Sequence, residues 1–474
     1  MKPKLPAYDR SKLTPGIVHI GLGNFHRAHM AVYLDDLFAL GLGHDWAILG
    51  AGVREGDARM REALIAQDCL STVIELDPKR KSARRIGSMI DFLPVEPDNA
   101  ALIDAMSRPE IRIVSLTVTE GGYFIDPATG LFDQTHPEIV ADSETPQRTA
   151  FGAIIAALRA RRGAGIPPFT VMSCDNLPGN GRVTRDAVTG LARLSDPALA
   201  DWIETRVAFP NGMVDRITPA TGPRERAMAA AFGLDDPVPV TCEPFRQWVV
   251  EDQFPQGRPA LEKVGVTLTP NVHAFEMMKI RILNGGHATI AYPGGLMDIE
   301  YVHEAMAHPL IRGFLHKVET EEIIPYVPPV PDTDIAAYYS LIVERFRNPE
   351  VADTERRLCL DGSNRQPKFI IPSVRDALAA GGKIEGLALV SALWCRYCFG
   401  STDNGIHIPP NDPNWDNLMA RSKAAKEDPV VWLRMKPIYG DLVDSTRFVE
   451  TFSAALRAVW DRGTEAVLRD YLGG

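Results

Sequence analysis

The run Ile17-Val-His-Ile20-Gly21-Leu-Gly23-Asn24-Phe25-His26-Arg27-Ala28 reads as a buried strand that enters a glycine turn and leaves as a helix. That context is what a dinucleotide fingerprint requires. Gly21 and Gly23 supply the tight turn and the close approach of backbone N–H groups to a pyrophosphate, whose charge is favoured at a helix N-terminus. His26 stands where a third glycine would sit. The turn residues Asn24 and Phe25 are candidate cofactor contacts, and Arg27 is a candidate phosphate partner. A purely structural turn is the competing reading, and the flanking strands favour the nucleotide. The end of the next strand, Val53-Arg54-Glu55-Gly56-Asp57, is where the ribose is read. A carboxylate there accepts from the 2′-hydroxyl and repels a 2′-phosphate, so Asp57 (or Glu55) predicts NAD, although the adjacent Arg54 could serve a phosphate.

Outward from this turn, continuous apolar runs follow at Trp46–Val53, Ile111–Val118, Phe169–Ser173, Arg206–Phe209 and Pro237–Cys242, with a helix expected at Ala28–Leu40. Continuous rather than alternating runs suit a parallel sheet covered on both faces. The fold class is therefore α/β, a doubly wound Rossmann-type domain over residues 1–275. From residue 276 to 474 the pattern is mostly helical: Leu310–Glu322, Ile335–Phe346, Ser373–Ala380, Ile384–Cys398, Pro429–Met435 and Arg447–Tyr471 carry apolar residues at helical spacing. This second domain is read as the substrate-binding and catalytic one, with Pro325–Pro331 as an extended connector.

A chain of 474 residues is too long for one core and calls for two domains. The formal net charge of −10 and the lack of a dense basic tract argue against a nucleic-acid partner. No apolar run approaches the roughly 20 residues of a bilayer span, and the first ten residues lack the apolar block of an export signal. No membrane partner and a cytoplasmic location are the expectation. Six cysteines do not make a disulfide scaffold. Cys395-Arg-Tyr-Cys398 has redox or zinc spacing but follows a buried-looking helix and has no second pair, so small core cysteines and no metal are expected.

A second stretch bears chemistry: Glu276-Met-Met-Lys279-Ile-Arg281-Ile-Leu-Asn284-Gly285-Gly286-His287. On an α-helix turning about 100° per residue, Glu276, Lys279, Asn284 and His287 share one face. A polar stripe on an otherwise apolar helix is costly unless it lines a cavity or meets solvent. Gly285 and Gly286 suggest that something approaches the backbone closely.

Four segments together resemble the polyol-specific long-chain dehydrogenases of the mannitol 2-dehydrogenase type: Gly21–His29, Ser173-Cys-Asp-Asn176-Leu-Pro-Gly-Asn180-Gly, Phe209-Pro-Asn-Gly-Met-Val-Asp215-Arg216-Ile-Thr-Pro219 and Lys279–His287. The resemblance covers nearly the whole chain. It implies a zinc-independent, NAD-dependent enzyme that interconverts a polyol and its ketose, with mannitol and fructose the first choice. By position it makes Lys279 the acid–base, Asn176 and Asn284 the holders of the reacting oxygen, His287 the partner of a substrate hydroxyl and Glu276 the proton relay. Asp215, grouped with the cofactor residues, and Glu120 match further acidic positions, for which a structural role is equally open. Arg365 and Lys368, in the donor-rich stretch Asp361–Phe369 read as a loop, are the substrate-binding candidates. The chemistry agrees: oxidising a secondary alcohol needs a base, a stabiliser for the alkoxide and a hydride acceptor. Arabinitol, sorbitol or a uronate remain alternatives, as does a non-catalytic NAD(H) sensor. No heptad or apolar stripe calls for a partner subunit, so a monomer is expected.

Overall fold

In the computed structural model, which describes residues 3–126, 129–144 and 148–473, the described strands are β1 (Pro15–Ile20), β2 (Ala47–Ala51), β3 (Ser71–Glu75), β4 (Ser82–Ile86), β5 (Met89–Phe92), β6 (Ile113–Leu116), β7 (Thr170–Ser173), β8 (Gly212–Asp215), β9 (Val240–Cys242), β10 (Gln247–Val250) and β11 (Thr267–Leu268). The main sheet runs β5-β2-β1-β6-β7 with every neighbour parallel. Within that sheet the chain order is third, second, first, fourth, fifth, the arrangement of a dinucleotide-binding fold. Its two faces are both buried, which explains the unbroken apolar runs. Val18 and Ile20 join a core with the helices Ala100–Ser107 and Ala150–Ala164, while Ile17 joins the opposite core with Met30–Ala39. Adjacent residues thus feed opposite cores, as the strand period demands.

Two smaller sheets complete this unit, β11-β10-β8 and β4-β3-β9. The expected strand at Pro237–Cys242 is β9 and belongs to the latter, paired in parallel with β3. The expected strand at Arg206–Phe209 does not form: Arg206 ends the helix Pro197–Arg206, and the following extended residues contribute one ladder-like bond, Val171 N–H to Ala208 O at 3.0 Å. The single helix expected over Ala28–Leu40 is two, Asn24–Ala28 and Met30–Ala39, broken at His29 (φ −118°, ψ −92°). The break has a cause. Arg216 Nη1 donates to the Ala28 carbonyl at 2.6 Å, and His29 Nε2 meets the Gln247 carbonyl at 2.9 Å, so both groups are used outside the helix.

The chain divides into two compact units, Met1–His273 and Ala274–Gly474. The second is helical throughout its regular elements. Its buried centre is the helix Glu385–Tyr397, packed on Thr446–Leu472, which is two helices across a bend at Gly463 (φ 79°, ψ 168°). Cys395 and Cys398 are buried thiols here, and all six cysteines are free. Among the described residues no group of His, Cys, Asp and Glu is placed to hold a metal ion, and no helix is long and apolar enough to cross a membrane.

Candidate active site

In the first unit the glycine turn is built as its sequence suggests. Gly21 sits at φ +92°, and a Cβ on it would fall 2.2 Å from the Thr117 carbonyl oxygen, so only glycine fits. Gly23 is extended and exposed, with nothing within 4 Å of where its Cβ would lie. The space a dinucleotide backbone needs is therefore open there. Asn24 Nδ2 donates to the Pro219 carbonyl at 3.1 Å and to Thr221 Oγ1 at 2.9 Å, which ties the turn to the loop after β8. Phe25 stacks on His29 with ring centroids 4.8 Å apart.

Arg27 is 1% exposed. Its guanidinium bonds to the Gly23 carbonyl at 3.3 Å, to Asn24 Oδ1 at 2.8 Å and to the Val238 carbonyl. Burial lowers its pKa to about 10. The geometry makes it a brace that holds the turn from beneath. His26, in the third-glycine position, points inward and stacks on His19 at 3.4 Å between centroids. A stacked imidazole pair thus fills the space that a third glycine would close up. Burial pushes both imidazoles well below their ordinary pKa, His19 to about 3, so the pair is neutral and not self-repelling.

Asp57 starts the helix Asp57–Ile65 just beyond β2 and accepts from the Arg54 N–H at 3.0 Å. A Cβ on Gly52 would lie 2.2 Å from Asp57 Cβ, which explains the glycine. Glu55 is exposed and Asp57 half-buried. Asp215 ends β8 and is buried. Its neighbour Arg216 gives the Val-Asp-Arg-Ile segment a structural reason, bonding Glu75 at 2.8 Å and the Glu243 carbonyl at 3.0 Å besides Ala28. Asn176 is exposed on the turn after β7. The Glu120 side chain lies outside what is described.

In the second unit the Lys279 segment departs from the expected α-helix. Val272–Met278 and Gly285–Leu296 are α-helical, but Lys279–Asn284 between them is a π-helix. Wider i→i+5 turns insert about one extra residue, so a wheel drawn at about 100° per residue misplaces His287 relative to Lys279 by roughly that angle. Such π-turns recur at functional sites. Glu276 and Lys279 are each 6% exposed, while Asn284 and His287 are half-buried. The close approach foreseen at the two glycines is supplied by the protein itself: Gly285 lies under the Phe369 carbonyl, and Gly286 under the Glu319 carboxyl and Phe346. Arg281 anchors the π-turn to the helix Ile371–Ala379, bonding Ser373 Oγ and Asp376 Oδ2 at 2.8 Å each.

His287 stacks on Phe346 at 4.3 Å. Its pKa is driven well down, first by desolvation and then by the charges of Arg357, Arg345 and Arg365, so the imidazole is neutral. Arg365 is half-buried, with Nη1 on the Leu358 carbonyl at 3.2 Å, and Lys368 is exposed. Both lie on a helix, Gly362–Phe369, and not on a loop; the polar composition misled because Asp361 in the left-handed region starts a helix there. Arg345 and Arg357 were not anticipated. A buried arginine inside the apolar pattern of Ile335–Phe346 was the available signal for the first, and Arg357 left none.

A parallel sheet in this order, a glycine turn with one open and one obligatory glycine, an acid after the second strand and a helical second domain define a Rossmann-type dinucleotide-binding protein of two domains. Residues 15–263 match the Mannitol dehydrogenase Rossmann domain and residues 271–460 the Mannitol dehydrogenase C-terminal domain. The chain belongs to the mannitol dehydrogenase family. It is 72% identical to a mannitol 2-dehydrogenase of Cereibacter sphaeroides over 98% of both chains. Among solved structures it resembles the Pseudomonas fluorescens mannitol 2-dehydrogenase ternary complex with NAD and D-mannitol (TM-score 0.87, 44% identity, 99% and 97% of the two chains covered). A D-sorbitol dehydrogenase in substrate-free form is also similar (TM-score 0.92, 36% identity, 98% and 97% covered).

Proposed function

We propose that the protein is an NAD-dependent polyol dehydrogenase that interconverts D-mannitol and D-fructose, with Lys279 as acid–base and without a catalytic zinc. The observation that carries the substrate is the 72% identity, over nearly full length, to a mannitol 2-dehydrogenase. NAD would be held by Gly21, Gly23, Asn24 and Phe25, with Arg27 bracing the turn, Asp57 reading the ribose and Asp215 as a further cofactor-side acid. Bound NAD supplies the hydride acceptor. Lys279, sealed into the π-turn, takes the hydroxyl proton and passes it toward Glu276 one turn earlier. The family resemblance makes Asn284 and Asn176 the holders of the reacting oxygen, a role in which an amide would donate to the developing alkoxide without acquiring charge itself. Neutral His287 accepts from or donates to a neighbouring hydroxyl, and Arg365 and Lys368 bind the rest of the sugar. A uronate is the second reading, favoured by the positive charge of Arg345, Arg357 and Arg365 around His287.

The test is NADH absorbance with fructose, fructuronate, mannitol, sorbitol and arabinitol. Fructose reduction and mannitol oxidation are expected to dominate and to survive dialysis against a chelator. Lys279→Ala should lose about 10²–10⁴ in turnover while binding NADH; near-normal turnover in that variant sinks the mechanism. No turnover on any substrate with NADH bound would favour a sensor. Cell fractionation and light scattering check the cytoplasmic location and the monomer proposed with this reading.

A further inference from the structure

Thr119, just beyond β6, holds φ 65° and ψ 166°. That region is essentially reserved for glycine, and a β-branched residue stays there only when its surroundings over-determine it. Thr119 does not cap the following turn, Glu120–Tyr123, with its own side chain. The constraint comes from Asp175, after β7. Its Oδ2 accepts from Val118 N–H at 3.0 Å and its Oδ1 from Thr119 N–H at 3.0 Å. The Tyr123 hydroxyl donates to Oδ2 at 2.6 Å and also contacts Ser173 Oγ at 2.6 Å. Asp175 is 8% and Tyr123 0% exposed, so this is a shielded, charge-assisted clamp. Gly122 closes it, with its N–H on the Thr119 carbonyl at 3.0 Å and a virtual Cβ only 3.0 Å from Val118.

The place of the clamp gives it meaning. β6 pairs with β1 and β7 pairs with β6, and the C-terminal ends of these strands form the edge where ligands of such sheets bind. Two residues before the strained position, Thr117 Oγ1 donates to the Gly21 carbonyl at 2.5 Å, and the Thr117 carbonyl is the group that forbids a Cβ on Gly21. The clamped turn is therefore built against the glycine turn. Asp175 also immediately precedes Asn176.

We propose that Asp175 is a positioning residue of the cofactor site, whose carboxylate holds the Val118–Thr119 turn in its strained form beside the Gly21 turn and fixes the base of the Asn176 turn. This rests on the NAD reading above. Asn at 175 keeps the shape but presents an amide N–H₂ to one of the two backbone donors, and the turn relaxes toward conformations threonine prefers.

The experiment titrates NADH into wild type, Asp175→Asn and Asp175→Asn/Thr119→Gly by fluorescence, with thermal melts of the cofactor-free proteins. Asp175→Asn should bind NADH about tenfold more weakly, the loss of one charge-assisted hydrogen bond. Thr119→Gly in that background should recover most of the affinity, because glycine adopts this backbone geometry without a clamp. The melting temperature should not recover in parallel, since one backbone N–H of the turn, that of Val118 or of position 119, still faces the amide N–H₂ and lacks its acceptor; that split separates positioning from mere stability. Wild-type affinity in Asp175→Asn, or a double variant as weak as the single one, overturns the proposal. If Asp175→Asn does not fold, Tyr123→Phe is the milder form: NADH binding should weaken and Thr119→Gly should reverse it, and unchanged binding overturns the clamp. Wild-type NADH binding tests the cofactor reading by itself, and a wild type that binds NADH but turns over no polyol leaves the clamp standing while retiring the substrate.

Discussion

Glu319 opens the π-turn Glu319–Ile323 in the helical unit with a fully buried carboxyl, and replacing it by glutamine should change how stability depends on pH. Neither carboxyl oxygen has a hydrogen-bond partner among the described residues, and Gly286 leaves only 3.1 Å between Oε1 and a virtual Cβ. Burial pushes the pKa well above the carboxylate range, so the folded protein holds a neutral acid. The unfolded chain releases that proton above about pH 4.3. The native state then binds more protons than the unfolded one, and stability falls as pH rises, by about 1.4 kcal/mol per pH unit for one group. The contribution is whole below the unfolded pKa and is lost upward from there toward the raised folded pKa. Glu319→Gln keeps the shape and removes the proton. Its stability relative to wild type should therefore climb as pH rises above about 4.3, by about 1.4 kcal/mol per pH unit for as long as the folded group keeps its proton. Glu355, buried in the same way, is present in both proteins and cancels in the difference. Urea titrations at a series of pH values, followed by tryptophan fluorescence, give that difference. A variant-minus-wild-type stability flat with pH would mean that Glu319 is ionised in the fold and would refute the reasoning.

Gly21→Ala should cost roughly 2–5 kcal/mol, combining the positive φ with the collision at the Thr117 carbonyl; urea unfolding checks it, and a variant as stable as wild type contradicts the geometry. Asp57→Asn should raise NADP use relative to NAD, measured as the ratio of kcat/KM values, and an unchanged ratio rejects Asp57 as the selector. Arg281→Ala should destabilise by about 2 kcal/mol through loss of the Ser373 and Asp376 bonds. It should also lower turnover by loosening the π-turn that carries Lys279, and loss of stability with full turnover would uncouple the two.

Much of the first unit was legible because its central strands advertise themselves: β1 is buried on both faces, and Gly21 marks a turn that no other residue could make. The β3 and β4 strands were not legible. Arg84 and Glu75 look solvated in one dimension, and only in space do they meet Asp36 and Arg216. The same holds for Arg27, whose charge suggested an anion until three acceptors, one of them 211 residues away, enclosed it.

In the Lys279 stretch, the sequence by itself determined which chemical groups stand close together, since a lysine, a glutamate, an amide and an imidazole within twelve residues of helix-forming chain must lie within a few turns of one another. Only the tertiary structure decided their order around the axis. The i→i+5 turn of Lys279–Asn284 is held by Arg281 on Ser373 and Asp376 and by the packing of Gly285 and Gly286 on Phe369, Glu319 and Phe346. Local periodicity carries the α-helix, whose hydrogen bonds are internal; a π-turn is set by partners far along the chain, which no window of neighbouring residues contains.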